Sequence, residues 1–249
     1  MSVPYRDFYY PLNVFMHILT HEEGAVPYLH YGLFESPDES LATAQERSTE
    51  LLLSRLPAHP ARLLEVGIGL GTTLHELTRM GYDAEGITPD DRQIAMVRER
   101  FGDTVRAHCV AFEQFSSPAP YDAVLFQESS QYIESNALFA KAAELAKSVV
   151  VLDEFAARSE EGATLHRYDE FLAAASDHGF RKIEEVDLSQ KAPPTVEYFM
   201  ARIPRYRDLL IRDLAITSQQ VDDLLVSGRN YVDLYRRGVY VYRLLRFER

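Results

Sequence analysis

The chain's pattern predicts an α/β protein with a doubly wound sheet, and three observations carry that expectation. Short apolar, β-branched runs alternate with longer amphipathic stretches through the middle of the chain. One run, Leu63 to Val66, leads into an acid and three alternating glycines, Glu65-Val-Gly67-Ile-Gly69-Leu-Gly71, and then at once into a helical pattern. The composition is globular, with 46% hydrophobic and 26% charged residues in 249. That size suits one α/β domain with additions.

The elements follow in order. Residues 1–45 precede the first strand and hold a helix from about Pro11 to Glu23. After the strand Leu63–Val66, a helix spans Thr72 to Met80, and Gly81 stops it as a C-terminal cap. Ala84–Thr88 reads as a strand, and Pro89-Asp90-Asp91 opens a helix to Phe101, closed by Gly102. Thr104–Val110 and Asp122–Gln127 are the next strands; Ser135 caps a helix through Ala146, and Val149–Leu152 is a β-branched core strand. Leu165–His178 carries Leu165, Tyr168, Phe171, Leu172 and Ala175 on one stripe and ends at Gly179. Ile183–Leu188 and Val239–Phe247 are strands, separated by residues 190–238, where Pro193, Pro194, Pro204 and Gly228 break two or three short helices. The expected organisation is a single domain: an N-terminal lid 1–45, a core 46–189, a helical lid insertion 190–238 and a final strand 239–249.

Bulk properties narrow the partners. The net charge of −12 disfavours DNA or RNA, which need a broad basic face, so no nucleic-acid partner is expected. No apolar run approaches the ~18 residues of a membrane span, so no membrane partner is expected either. Cys109 is the one cysteine, which fits a reducing cytoplasm. A small-molecule substrate is the better expectation, and the aromatic N-terminal block could support a homodimer. Tyrosine concentrates outside the core: Tyr5, Tyr9, Tyr10, Tyr28, Tyr31, Tyr198, Tyr206, Tyr231, Tyr235, Tyr240 and Tyr242. Apolar faces with polar tips suit a semi-polar ligand cavity and a cationic sulfonium, and two or three of them are expected to line a pocket.

The glycine spacing separates two ligands. A dinucleotide fingerprint needs glycine where Thr72 stands, and a P-loop needs a lysine that is missing. The E-x-G-x-G-x-G run from Glu65 through Gly67, Gly69 and Gly71 resembles motif I of the class I S-adenosylmethionine (SAM)-dependent methyltransferases, and the resemblance extends over residues 28–155. It implies SAM as cofactor and a Rossmann-like, seven-stranded, doubly wound sheet whose last strand is antiparallel, with helical lids near both ends.

The same resemblance places further residues. Gly86-Ile-Thr88-Pro-Asp90 has Thr88 where the ribose-binding acid is usual; it is similar to a subset that reads G-[VI]-T followed five residues later by glutamine, here Gln93. Thr88 and Gln93 would hold the ribose or the methionine end. Asp90 is either a fallback ribose ligand or a helix N-cap. Ala111 stands where the adenine acid is usual, leaving Phe112 to cover the ring; Glu113 substitutes if the register slips by two. Phe126-Gln-Glu-Ser-Ser-Gln-Tyr132 resembles an E-S-x-x-H stretch, which puts Gln127 at the SAM amino group and makes Tyr132 and Glu128 candidate catalytic residues. His30-Tyr-Gly-Leu-Phe34 is similar to a lid segment that would turn His30 and Tyr31 towards cofactor or substrate. Asp153 and Glu154 close the next strand, and such paired acids are more often solvated. His17 and His21 lie one helical turn apart, but a metal site needs a third ligand that the sequence does not reveal, so no metal is expected.

The expected activity is transfer of a methyl group to a carbon, nitrogen or oxygen nucleophile of a small, biosynthetic metabolite. Two alternatives remain: a SAM-dependent enzyme that catalyses cyclisation or elimination without methylating, and a catalytically idle SAM-binding partner protein.

Overall fold

Alternate residues of each central strand enter opposite apolar layers, and this period-two pattern builds the molecule. On β1 (Arg62–Val66), Leu63 joins one layer while Leu64 and Val66 join the other. On β4 (Ala123–Gln127), Ala123 and Leu125 face the first layer and Val124 and Phe126 the second. The computed structural model describes residues 5–36 and 38–249. The remaining strands are β2 (Asp83–Thr88), β3 (Arg106–Cys109), β5 (Ser148–Ala156), β6 (Arg181–Asp187) and β7 (Tyr240–Glu248). They form one seven-stranded sheet in the order β3-β2-β1-β4-β5-β7-β6. The pairs β1–β2, β2–β3, β1–β4 and β4–β5 are parallel, whereas β7 runs antiparallel to both β5 and β6. Strand order reverses between β1 and β4, which is where ligands bind in sheets of this kind.

Helices α3 (Thr72–Arg79), α4 (Asp91–Phe101), α5 (Ser135–Leu145) and α6 (Tyr168–Asp177) cover the sheet, as expected. The boundaries differ in physically legible ways. Glu134, not Ser135, caps α5, accepting the Ala137 N–H at 2.8 Å. Leu165–Arg167 is not helical, because Arg167 bridges to Ala156 at the end of β5. β5 itself runs four residues beyond Leu152, because β7 pairs with it along its whole length.

The helices outside that alternation, in the segments expected to form lids and just after the first of them, are α1 (Leu12–Glu22), α2 (Leu41–Leu53), α7 (Pro194–Leu214) and α8 (Ser218–Arg236). A third apolar cluster, built largely from α1, α7 and α8, holds Met16, Ile18, Phe199, Ile203, Leu210 and Leu224. Residues 190–238 correct the expectation of short broken helices. Pro204 sits inside α7 on an exposed face, and the helix continues because Phe199, Ile203 and Leu210 anchor it on both sides. Gly228 sits inside α8, where a side chain would overlap Met200 of α7; it is a close-approach glycine and breaks nothing. The turn between α7 and α8 is set by Ala215 at φ 55° and a capping box of Thr217 and Gln220. Among the described residues no helix is long and apolar enough to cross a membrane.

Candidate active site

The glycine turn joins β1 to α3 at the sheet's switch point. Gly67, Gly69 and Gly71 have φ of 78°, 53° and 75°. At Gly67 the reason is also steric: a Cβ there would overlap that of Ser129, whose hydroxyl donates to the Val66 carbonyl at 2.5 Å. Glu65, at the end of β1, is 3% exposed, and its Oε2 has no hydrogen-bond partner among the described residues. Burial, with the charge of Glu76 adding, pushes its carboxyl up to about 8.

Residues after β2 and β4 complete the rim. The Thr88 hydroxyl donates to Gln93 Oε1 at 2.8 Å, and both residues are buried. Asp90 is committed elsewhere: it caps α4 through the Arg92 N–H at 2.9 Å and pairs with the Arg92 guanidinium at 3.1 Å. This leaves Thr88 and Gln93 as the polar pair. Phe112 is 2% exposed and meets Phe126 edge to face, so its ring belongs to the core layer beneath the rim. Glu113, the slipped-register alternative, is exposed.

A strap of residues 27–31 crosses this turn. Thr72 donates its hydroxyl to the Pro27 carbonyl, Tyr28 donates to Glu76 Oε1 at 2.6 Å, and Leu29 lies over Gly69. His30 is buried with both ring nitrogens occupied. Its Nδ1 faces the Tyr31 carbonyl at 2.9 Å, so that nitrogen carries the proton, and Nε2 accepts from the Thr49 hydroxyl at 3.0 Å. Gln127 continues the chain, donating to Thr49 at 3.3 Å and accepting from Thr73 at 3.2 Å. Burial holds His30 down to about 4. It therefore positions the strap and exchanges no proton at neutral pH, a correction to its expected catalytic place.

Two carboxylates lie beyond the strap, each held by tyrosines. Glu128, at φ 53°, accepts the Tyr31 N–H at 2.7 Å and the Tyr242 hydroxyl at 2.5 Å. Burial and the charge of Glu154 push its carboxyl well above the usual range. Glu154 accepts Tyr231 at 2.8 Å and Tyr235 at 2.5 Å, and burial raises it to about 7 against those donors. Asp153 accepts the Ser130 N–H and hydroxyl at 2.9 and 2.6 Å, and burial raises it to about 6. The two strand-end acids are therefore buried, not solvated, because β5 continues past them as an inner strand paired with β7, and Ser130, Tyr231 and Tyr235 engage their carboxylates. Tyr132 ends the turn Ser130–Tyr132, which is fastened to Asp153; its side chain is 79% exposed, reaches Tyr9 and does not line the cavity below.

That cavity, about 260 Å³, lies between the strap, α1, α2, α7 and α8. Phe15, Leu19, Leu29, Val196, Phe199 and Met200 make its walls largely apolar, and no Asp, Glu, Lys or Arg lines it. Tyr28, Tyr31 and Tyr231 line it too, matching the expectation of two or three pocket tyrosines. Gln45 completes the wall; its Nε2 donates to the His30 carbonyl at 2.5 Å and its Oε1 has no partner among the described residues. Gln45 and Thr49 escaped sequence reasoning because α2 was not anticipated. The available signal was Ser40, whose hydroxyl accepts the Thr43 N–H as an N-cap.

No family model and no curated protein matches the chain. Solved structures do. The [4+2]-cyclase SpnF aligns over 100% of this chain and 97% of its own at TM-score 0.78 and 18% identity. Mycolic acid cyclopropane synthase CmaA1, complexed with S-adenosylhomocysteine (SAH) and CTAB, aligns over 100% and 99% at TM-score 0.79 and 18% identity. Geranyl diphosphate C-methyltransferase from Streptomyces coelicolor A3(2), with Mg2+, geranyl diphosphate and SAH, aligns over 100% and 99% at TM-score 0.70 and 18% identity. The chain has the class I methyltransferase fold over its whole length, with the seven-stranded sheet and antiparallel final strand that its glycine motif implied.

Proposed function

We propose that this protein binds SAM at the glycine turn and transfers its methyl group to a carbon, nitrogen or oxygen nucleophile of an apolar small molecule. The observation that carries the reading is Glu65: a buried acid with an unpartnered oxygen beside the Gly67–Gly71 turn. Glu65 would receive the ammonium of the cofactor's methionine end, the N-terminus of α3 its carboxylate, and Thr88 with Gln93 its ribose. The bound sulfonium supplies an activated methyl group. The chain's own residues then align the acceptor and exclude water. The cavity walls do both, and their lack of charge favours an apolar acceptor over a phosphorylated one. Gln45, on the cavity wall, fixes the strap through the His30 carbonyl. Glu154, behind Tyr231, is the carboxylate best placed to take a proton where the acceptor must lose one.

A second reading keeps the cofactor and drops the transfer. The cavity wall holds no free acid or base, since His30 has both nitrogens engaged, and the fold is shared with a [4+2]-cyclase. An enclosed apolar chamber is enough to promote a cyclisation.

Calorimetric titration with SAH tests the shared premise. Micromolar binding is expected for the wild type and none for Gly69→Asp. Aspartate is among the side chains that adopt a φ near 53° most readily, and the nearest atom to a Cβ at Gly69 is Leu29 Cδ1 at 3.4 Å, so the variant is expected to fold at some cost in backbone strain, which circular dichroism checks. A folded wild-type protein that ignores SAH overturns the premise. Product mass then separates the readings: a methyl gain supports transfer, whereas an isomer with SAM recovered supports cyclisation.

A further inference from the structure

His17 and His21 stand one turn apart on α1, and the fold brings them the third ligand that the sequence did not show. Asp213, in the last turn of α7, lies beside them, and one donor atom from each residue falls within 4.8 Å of the other two. His17 is 3% exposed, and its Nε2 has no hydrogen-bond partner among the described residues. Asp213 Oδ2 is 3.4 Å from that nitrogen. This is longer than an ordinary hydrogen bond. It matches the edge, about 3.4 Å, of a tetrahedron whose ligands lie about 2.0–2.1 Å from a zinc-sized ion.

The surroundings orient the same three groups. Arg212 donates its Nε–H to the other carboxylate oxygen of Asp213 at 2.7 Å, which leaves Oδ2 facing the histidines. The two imidazoles meet edge to face with centroids 4.7 Å apart, and His21 stacks on Tyr206. The neighbouring acid, Glu22, is already engaged by Arg202, Arg205 and Tyr206.

We propose that His17, His21 and Asp213 form a binding site for one divalent, zinc-like ion, with water completing four-coordination. None of the three lines the cavity, so the role is structural. The ion joins α1 to α7, the two helices that supply Phe15, Leu19, Val196 and Phe199 to the cavity wall. It would act as a clamp between the N-terminal lid and the helical insertion.

Chelator-treated protein titrated with Co2+ alone, followed by visible absorption and then displaced with Zn2+, tests this directly. One equivalent of Co2+ with a four-coordinate absorption band is expected, together with a thermal midpoint that rises with metal. His21 is exposed and Asp213 half-buried, so His21→Ala and Asp213→Asn should keep the wild-type circular dichroism. Each should weaken the metal by at least about tenfold, the scale that even an outer-shell partner commands. SAH binding should persist in both variants, which separates this site from the cofactor site. A folded wild-type protein that takes up no stoichiometric Co2+ or Zn2+ in the high micromolar range overturns the proposal. So do variants that bind the metals as tightly as the wild type.

Discussion

Glu65 links the fold and the cofactor site to pH. A carboxyl raised to about 8 in the fold and near 4.5 in the unfolded chain binds its proton more tightly when folded. The stability tied to it is therefore complete below about pH 4.5 and is lost as pH rises through 8. Glu65→Gln removes that titration. Its stability relative to the wild type should rise between about pH 5 and 8, by a few kcal/mol at most, in urea melts run at each pH. Ligand binding should show the mirror image. Pairing with an ammonium needs the ionised acid, so wild-type affinity for SAH should strengthen between about pH 6 and 8 and be flat in the variant. A pH-independent wild-type affinity would remove Glu65 from the cofactor site. Glu154 answers to its donors in the same way: Tyr235→Phe deletes a bond that favours the carboxylate, so Glu154 should titrate above about 7. A shift of the acid limb of a pH–rate profile to higher pH would report it, and an unmoved limb would argue that Glu154 is no base.

At the scale of elements, the lids are held by a few specific contacts. The strap depends on Tyr28, whose hydroxyl reaches Glu76 of α3. Tyr28→Phe should cost about 1.5–3 kcal/mol, the usual worth of a hydrogen bond to a charged group, and should raise the Kd for SAH by loosening the cover over Gly69. Calorimetry and thermal melts check both. Helices α7 and α8 approach where Gly228 faces Met200, and both residues line the cavity. Gly228→Val should destabilise by about 1–3 kcal/mol through overpacking. Gly228→Ala should be close to neutral, because helix propensity gains about 1 kcal/mol and a flexible thioether can move aside. The thioether has the cavity to move into, so the alanine variant should accept only smaller acceptors in a product screen.

For the whole molecule, three clusters divide the labour. Two sandwich the sheet and one joins the lids, so cofactor site and cavity sit at the junction between core and lids. Binding at a junction reports on both sides. SAH at about 100 times its Kd should stabilise the protein by about 2.7 kcal/mol, and Gly69→Asp should lose that increment in a melting experiment. An increment that survives in the variant would place the ligand elsewhere.

Local pattern was enough to read the core. Leu63–Val66, its glycines and the alternation up to Leu188 are written in neighbouring residues, because strand period, caps and turn glycines act over a few positions. That two or three of the flanking tyrosines line a cavity was legible from their concentration in those segments. What passed out of reach depended on partners far away in the chain. Asp153 and Glu154 look like solvated strand-end acids until β7, some ninety residues on, pairs alongside them and makes β5 an inner strand. Pro204 and Gly228 look like helix breakers until α7 and α8 are packed together. His30 looks like a base until Thr49 and the Tyr31 carbonyl take its nitrogens. Asp213 lies 192 residues beyond His21, and only the packing of α1 against α7 makes them neighbours. Sheet order and turn chemistry are short-range and leave their mark on sequence; burial, proton affinity and ligand sets belong to the atoms that long-range packing brings together.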